Sequence, residues 1–239
     1  MAHVKLFNKD KEEVKSVTTI IGKNLGWNKE LLMAWSRKCG LAGLDPNAVK
    51  DQAADTGTLC HDMIDNYIRG TEFEYKEHNF DSITVASVGL EAYKEWEQRQ
   101  NIQYLHNEVS VVSETYQYGG TFDCVAVVDG VVSLVDFKTS KGVYADHIIQ
   151  LSAYKQAIEE SIGIKIEQCI LIKIPKDMKE DSKVTPYYIK SEIITEAFDV
   201  FKVLVNLESS RKILEGYANE ICPYVKKKYV SKKKQASEE

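Results

Sequence analysis

The chain has 239 residues, of which 44% are hydrophobic and 28% charged, and its formal net charge is −5. This composition is typical of a soluble globular protein, and the length allows one full core with helical additions. The negative charge argues against a protein that coats nucleic acid by charge alone, although a metal-dependent enzyme would need such carboxylates. No apolar run approaches the ~18–20 residues of a membrane helix, and the polar start of the chain lacks a signal peptide, so we expect a cytoplasmic protein with no membrane partner.

Five cysteines are widely spaced and form no CxxC or compact Cys/His cluster: Cys39, Cys60, Cys124, Cys169 and Cys222. An odd number at this spacing predicts reduced thiols. The spacing gives no support to a zinc ribbon, and we expect no iron–sulfur cluster. No Gly-x-x-x-x-Gly-Lys-Ser/Thr motif occurs, so we expect no ATP as a cofactor.

Helical patterns dominate the first hundred residues. After a charged segment that predicts a short strand or an arm, two short helices are expected at 16–25 and 28–39. Asp45 before Pro46 is typical of a helix start, and the third helix should run from there to about residue 68 and end at Gly70. A further helix is expected from about 82 to 99.

Strand patterns follow. Runs rich in Val, Tyr and Phe cover 102–112, 117–128 and 131–138, and Asp129-Gly130 between two of them predicts a hairpin. A helix at 145–161, short strands at 168–174 and 184–190, and a closing helix from 193 to about 217 complete the order. This order predicts an α/β fold with a central mixed sheet flanked by helices, and the helix after the third strand permits a parallel crossover.

We expect one domain over 1–239, made of a mainly helical part at 1–100, an α/β core at 101–217 and a basic tail at 218–239. The tail carries two lysine runs, Lys226–Lys228 and Lys232–Lys234, before an acidic end. We expect it to be mobile. Such runs are usually solvated, and contact with a DNA backbone is the alternative.

Three charged residues lie in the strand region and could carry chemistry. Asp136 and Lys138 close an apolar strand, and residues two apart on a strand share a face. The hairpin can bring Asp123 close to both. Taken alone, the pair could be a solvated strand end or a salt bridge. The functional alternative is a pair of carboxylates that bind a hard divalent cation, which lowers the pKa of a water and stabilises charge on a phosphate.

Four motifs in order resemble the PD-(D/E)XK nuclease superfamily in its RecB-like exonuclease branch. They are Gly57-x-x-x-His61 on a helix, Gly120-x-x-Asp123, Asp136-Phe137-Lys138 and Gln150-x-x-x-Tyr154. The resemblance covers about Gly57 to Tyr154, and the flanks match by element order alone. It implies a restriction-endonuclease-like core.

The resemblance also implies roles. In this superfamily the ligands of Mg²⁺ or Mn²⁺ would correspond to His61, Asp123, Asp136 and the backbone carbonyl of Phe137. Lys138 would position the nucleophile or neutralise developing negative charge. The remaining candidates are supporting or DNA-contacting residues, namely Gln150, Tyr154, Thr139, Ser140 and Lys141, together with Glu108 as an outer ligand or part of a second metal site.

Four functions compete at this point. The resemblance favours a stand-alone DNA exonuclease of a phage or bacterium, active in recombination, repair or replication, and some relatives of this kind work beside a single-strand annealing protein. An endonuclease or flap nuclease would use the same residues. A DNA-binding relative without catalysis and a protein-interaction domain with accidental motifs would need no metal. RNA stays open as a substrate, as do polarity, strand preference and oligomeric state.

Overall fold

A computed structural model describes residues 4–75, 78–175 and 183–221. In chain order its elements are β1 (Leu6–Phe7), β2 (Glu13–Ser16), α1 (Val17–Asn24), α2 (Lys29–Leu41), α3 (Pro46–Arg69), α4 (Phe80–Glu97), β3 (Ile102–Ser113), β4 (Tyr118–Val128), β5 (Val131–Lys138), α5 (Ala145–Ser161), β6 (Gln168–Lys173), β7 (Thr185–Ile189) and α6 (Ser191–Ile221). The lysine runs predicted for the tail lie outside the described residues.

Among the described residues, seven strands form one mixed sheet in the order β1-β2-β4-β5-β6-β7, with β3 paired to β4. The helix α5 connects β5 to β6, and these two strands are parallel, as the predicted crossover requires. The predicted α/β class with a central mixed sheet flanked by helices is therefore confirmed, and it is consistent with a restriction-endonuclease-like core.

Two hydrophobic cores cover the two faces of the sheet. On one face, α1, α5 and α6 pack over β4 and β5, around side chains such as Tyr118, Phe122 and Phe201. On the other face, α3 and α4 contribute a core that includes Ile64 and Tyr93. The result is a three-layer arrangement in which helices from both layers reach the ends of β4 and β5.

Local chemistry explains the element ends. The Asp45 side chain accepts a hydrogen bond from the Asn47 amide at 2.9 Å, which caps α3, and Gly70 closes that helix in the left-handed region with φ of 66°. The predicted hairpin between β4 and β5 is confirmed, because Asp129 (φ 50°) and Gly130 (φ 86°) both adopt the positive φ that a tight primed turn requires.

The structure differs from the predicted elements at a few ends. The fourth helix begins at Phe80 rather than near residue 82, since the Asn79 side chain accepts a hydrogen bond from the Ser82 amide and caps it there. The closing helix runs to Ile221, four residues past the predicted end. The short strand β2 pairs in parallel with the start of β4, a long-range contact that the charged N-terminal segment did not reveal.

Candidate metal-dependent active site

The candidate site lies where β4 and β5 separate. Their antiparallel ladder ends at the pair Cys124 and Val135, so the next positions along the two strands are Asp123 and Asp136. Instead of continuing the ladder, the Asp123 Oδ2 atom accepts a hydrogen bond from the backbone amide of Phe137 at 2.7 Å. The hairpin therefore brings the first carboxylate against the second strand, as its position in the sequence suggested.

Lys138 is held by groups from β5 and α5. Its Nζ atom lies 2.6 Å from Asp136 Oδ2, and it donates a hydrogen bond to Gln150 Oε1 at 3.1 Å. The Gln150 amide in turn donates to the Tyr154 hydroxyl at 3.2 Å. Asp136 and Lys138 thus share a face of β5, and the helix residues fix the position of the ammonium group.

The glycines of the motifs allow two close approaches. A Cβ atom on Gly120 would lie 2.6 Å from Cε1 of Tyr154, so only glycine lets the tyrosine ring pack on β4. A Cβ atom on Gly57 would lie 2.7 Å from Oγ1 of Thr139, which follows Lys138. Both glycines therefore bring a helix close to the strand ends, and this explains their spacing from Asp123 and His61.

His61 enters the site from α3. Its neighbours Leu59, Cys60, Met63 and Ile64 are buried in the core, which anchors the helix against the sheet. The His61 Nδ1 atom lies 3.5 Å from Asp123 Oδ2. Its ring also meets the ring of Phe137 edge-on, at 6.0 Å between centroids. The histidine is therefore oriented by the same two residues that join β4 to β5.

Glu108 reaches the site because β3 carries a bulge. The ladder pairs Tyr104 with Ala126 but His106 with Val125, so Leu105 is an extra residue. Beyond this bulge, Glu108 falls opposite Asp123, and directly opposite residues share a face of a sheet. Without the extra residue, Asn107 would take that place. Glu108 also has a φ of 49°, a strained conformation for a non-glycine residue.

His61, Glu108 and Asp123 form a compact cluster. One ligand atom from each residue lies within 4.8 Å of the others. They line a cleft of about 480 Å³, together with residues of α3, β4 and the loop after β5, namely Ala53, Ala54, Gly57, Thr58, Thr121 and Thr139. Asp136 is not a member of this cluster. It is almost fully buried, at 1% exposure, and pairs with Lys138.

The environment shifts the pKa values of the two aspartates in opposite directions. Burial acts to raise the pKa of Asp123, but His61, Lys138 and the Phe137 amide together lower it, so this carboxylate is ionised. Burial raises the pKa of Asp136 to about 6, and the nearby Lys138 offsets this only in part. The site therefore presents one strongly acidic carboxylate and one that is costly to ionise.

The other ionisable groups respond to the same carboxylates. Burial and the charge of Asp123 raise the pKa of Glu108 to about 8. Burial acts to lower the pKa of His61 and of Lys138, yet both are raised, because Asp123 acts on the histidine and Asp136 on the lysine. Carboxylates crowd the cleft, and a cation placed among them would relieve their repulsion.

The predicted supporting residues divide into two groups. Thr139 lines the cleft, whereas the Ser140 hydroxyl donates a hydrogen bond to the Gly142 carbonyl at 2.6 Å and shapes the loop. Lys141 is exposed on that loop. The sequence interpretation missed Thr58 and Thr121, which both line the cleft. Thr121 lies two residues before Asp123 on β4, so the period of a strand could have pointed to it.

The donor set fits a hard divalent cation. Carboxylate oxygens and a histidine nitrogen are ligands that Mg²⁺ and Mn²⁺ accept. In addition, the Asp136 Oδ1 atom is buried and has no hydrogen-bond partner in the described part of the chain. A buried carboxylate oxygen without a partner is unfavourable, and a cation would satisfy it.

Comparisons with known proteins give similar structures. No protein-family model matches the chain, and no curated protein matches it. A candidate exonuclease from Eubacterium rectale is similar, with a TM-score of 0.43, 15% identity and coverage of 64% of this chain and 68% of that one. An alkaline exonuclease from Laribacter hongkongensis gives a TM-score of 0.37 at 14% identity, and the match covers 66% of this chain and 82% of that one. Its complex with dAMP gives 0.37 at 15% identity, with the same coverage.

Within the described residues, no helix is both long and apolar enough to cross a membrane. The four cysteines in this part of the chain are buried and free. None of them belongs to the cleft, so the chemistry of the site depends on its oxygen and nitrogen donors.

Proposed function

We propose that this protein is a metal-dependent DNA exonuclease of the PD-(D/E)XK superfamily. The observation that carries the proposal is the juxtaposition of two groups of side chains at the point where β4 and β5 separate. In the first group, one ligand atom from each of Glu108, Asp123 and His61 lies within 4.8 Å of the others. Next to them a partly buried lysine, Lys138, is held at 2.6 Å from Asp136. Acidic ligands beside a fixed ammonium group suit hydrolysis of a phosphodiester bond.

His61, Asp123 and Asp136 would hold Mg²⁺ or Mn²⁺, with the Phe137 carbonyl as a backbone ligand and Glu108 as a further carboxylate. When bound, the cation supplies Lewis acidity, which activates water and stabilises negative charge on the phosphate. The ionised state of Asp123 and the unpartnered oxygen of Asp136 support this assignment.

Lys138 neutralises charge on the phosphate and orients the attacking water. The Gln150 carbonyl and the Asp136 carboxylate restrict its ammonium group from two sides, so little entropy is lost when it meets the substrate. Tyr154 fixes Gln150 and packs on Gly120. Thr139 lines the cleft beside the lysine, and Ser140 shapes the loop that follows it.

We propose DNA as the substrate, single- or double-stranded, and a cytoplasmic role in recombination, repair or replication in a phage or bacterium. A single-strand annealing protein is the partner we propose for that role. Lys141, exposed on the loop after β5, would contact a backbone phosphate.

The test is cleavage of end-labelled linear DNA, single- and double-stranded, with Mg²⁺, Mn²⁺ or EDTA, beside a closed circle. Asp123→Asn and Asp136→Asn preserve side-chain size while they remove a carboxylate, and Glu167→Gln is the matched control on an exposed position. We expect metal-dependent loss of linear DNA by the wild type and the control, with the circle intact.

Each other outcome changes the conclusion. Cutting of the circle would identify an endonuclease with the same site. Cleavage that persists in pure Asp136→Asn protein would refute the proposed mechanism. DNA binding without cleavage by the wild type would instead identify a binding relative that has lost catalysis.

A further inference from the structure

The last helix, α6, exposes an apolar face that no described residue covers. Its core stripe packs against the body of the protein and includes Ala197, Phe201 and Leu204. A second set of large apolar side chains is 47% to 73% exposed, namely Val203, Leu207, Ile213, Leu214, Tyr217 and Ile221. We call this set the α6 seam. It lies away from the cleft, so the inference does not depend on the nuclease site.

The spacing of the seam is that of a helix-pairing surface. Its positions follow one another at steps of four, three, four, three and four, in the order Val203, Leu207, Ser210, Leu214, Tyr217 and Ile221. Ser210 is the polar residue in this series. At about 100° per residue these positions lie within about 40° of one line, roughly 140° around the helix from the core stripe. Alternation of three and four is the repeat by which two helices pack side by side.

The far end of the helix needs such a partner. From Ser209 onward nearly every residue of α6 is exposed, so the last three turns extend past the body of the protein. An unsupported helical extension of this length is marginal in water, and its apolar side chains would stay hydrated.

The order of the seam residues matches a second copy of the same helix in antiparallel orientation. Around residue 212 the spacing is symmetric, so Val203 would face Ile221 of the other copy, and Leu207 would face Tyr217. Ser210 would face Leu214 next to the two-fold axis, and Ile213 would lie at the edge of the contact. Self-matching of one surface is what a two-fold dimer requires.

The area is sufficient for such a dimer. Six side chains per copy that each lose on the order of 100 Å² would remove roughly 1,200 Å² in total, the lower end of specific interfaces. On the flank of the seam, Arg211 pairs with Glu215 at 2.7 Å and with Glu208 at 2.8 Å, so no unpaired arginine opposes dimerisation there. We propose that the protein forms a two-fold dimer by antiparallel pairing of the α6 seams.

The test is the mass of the full-length protein in solution by sedimentation equilibrium across a concentration series. We expect a rise from 27.1 kDa toward twice that mass. Leu214→Glu places a charge in the seam and should weaken association at least tenfold, whereas Asn219→Glu places the same charge on the opposite side of the helix and should not. A wild type that stays monomeric, or an assembly insensitive to Leu214→Glu, would overturn the proposal.

A cross-linking arm tests the orientation. In a Cys222→Ser background, Ser210→Cys and Leu214→Cys, mixed as two separate single variants, should form a disulfide-linked dimer under mild oxidation, because these two positions face each other next to the axis. The pair Val203→Cys and Ile221→Cys, mixed as two separate single variants, should cross-link to each other. Cross-links formed only by Ile221→Cys with itself would show a parallel pair and overturn the antiparallel arrangement.

Discussion

Glu108 offers the sharpest test of the proposed metal site, because its ionised carboxylate should destabilise the folded protein when no metal is bound. Burial and the Asp123 charge raise its pKa from an ordinary 4.5 to about 8. At about 1.36 kcal/mol per pH unit, this shift corresponds to roughly 5 kcal/mol as an upper bound. The side chain is only half-buried, and solvent screening reduces the cost of ionisation to about 1–2 kcal/mol.

The direction in which stability changes with pH follows from the raised pKa of Glu108. A carboxyl whose pKa is raised on folding favours the native state when protonated, and this stability is lost as pH rises from the unfolded value through the folded one. In EDTA, Glu108→Gln should therefore be more stable than the wild type by about 1–2 kcal/mol near pH 9, and nearly equal to it near pH 4.5. Urea unfolding at both pH values measures the difference, with Glu167→Gln as the exposed control.

Addition of metal should reverse the order of stability of the wild type and Glu108→Gln. A cation at about a hundred times its Kd stabilises the folded wild type by roughly 2.7 kcal/mol, and loss of one carboxylate ligand should remove most of that gain. Addition of Mn²⁺ near pH 8 should thus make the wild type the more stable protein. A Glu108→Gln variant that is no more stable than the wild type in EDTA at high pH, or that responds to Mn²⁺ equally, would refute the reasoning.

Three further variants test the groups around Lys138. Gly120→Ala places a Cβ atom 2.6 Å from the Tyr154 ring, so the free energy of unfolding in urea should fall by about 1–3 kcal/mol, and Tyr154→Leu in the same chain should restore part of it. Gln150→Leu removes an acceptor of the Lys138 ammonium group, so kcat on linear DNA should fall about tenfold with little change in KM. A tenfold rise in KM with kcat unchanged would contradict a positioning role for Gln150. Lys138→Met leaves Asp136 buried without its cation, so stability should fall by about 3 kcal/mol near pH 8 and by less near pH 5, where the carboxyl is protonated. Equal losses at the two pH values would show that the ion pair is not the cause.

The sequence predicted the features that depend on short stretches of chain. The hairpin at Asp129-Gly130, the cap at Asp45 and the sharing of a strand face by Asp136 and Lys138 all follow from residue order and strand period. The parallel pairing of β2 with β4 depends on contacts about a hundred residues apart, and a charged segment gave no apolar signal for it.

Glu108 shows why a candidate site can be only partly predicted. Its closeness to Asp123 depends on a single extra residue, Leu105, which changes the register of β3. A one-residue shift moves each following side chain to the other face of a strand, and composition alone does not show where the shift occurs. The histidine could be predicted only from its motif, since its distance to Asp123 is set by how α3 packs on the sheet.

The separation of β4 and β5 connects the fold to the proposed chemistry. A continued ladder would place Asp123 directly opposite Asp136 and keep both backbones paired. Because the strands diverge, the Phe137 amide is free to bond the Asp123 carboxylate, and the Asp136 carboxylate turns toward Lys138 instead. Two adjacent carboxylates then occupy different environments, one ionised at the cleft and one buried with a lysine. A regular sheet cannot produce that difference from two neighbouring aspartates, so we attribute the site to the point where the sheet opens.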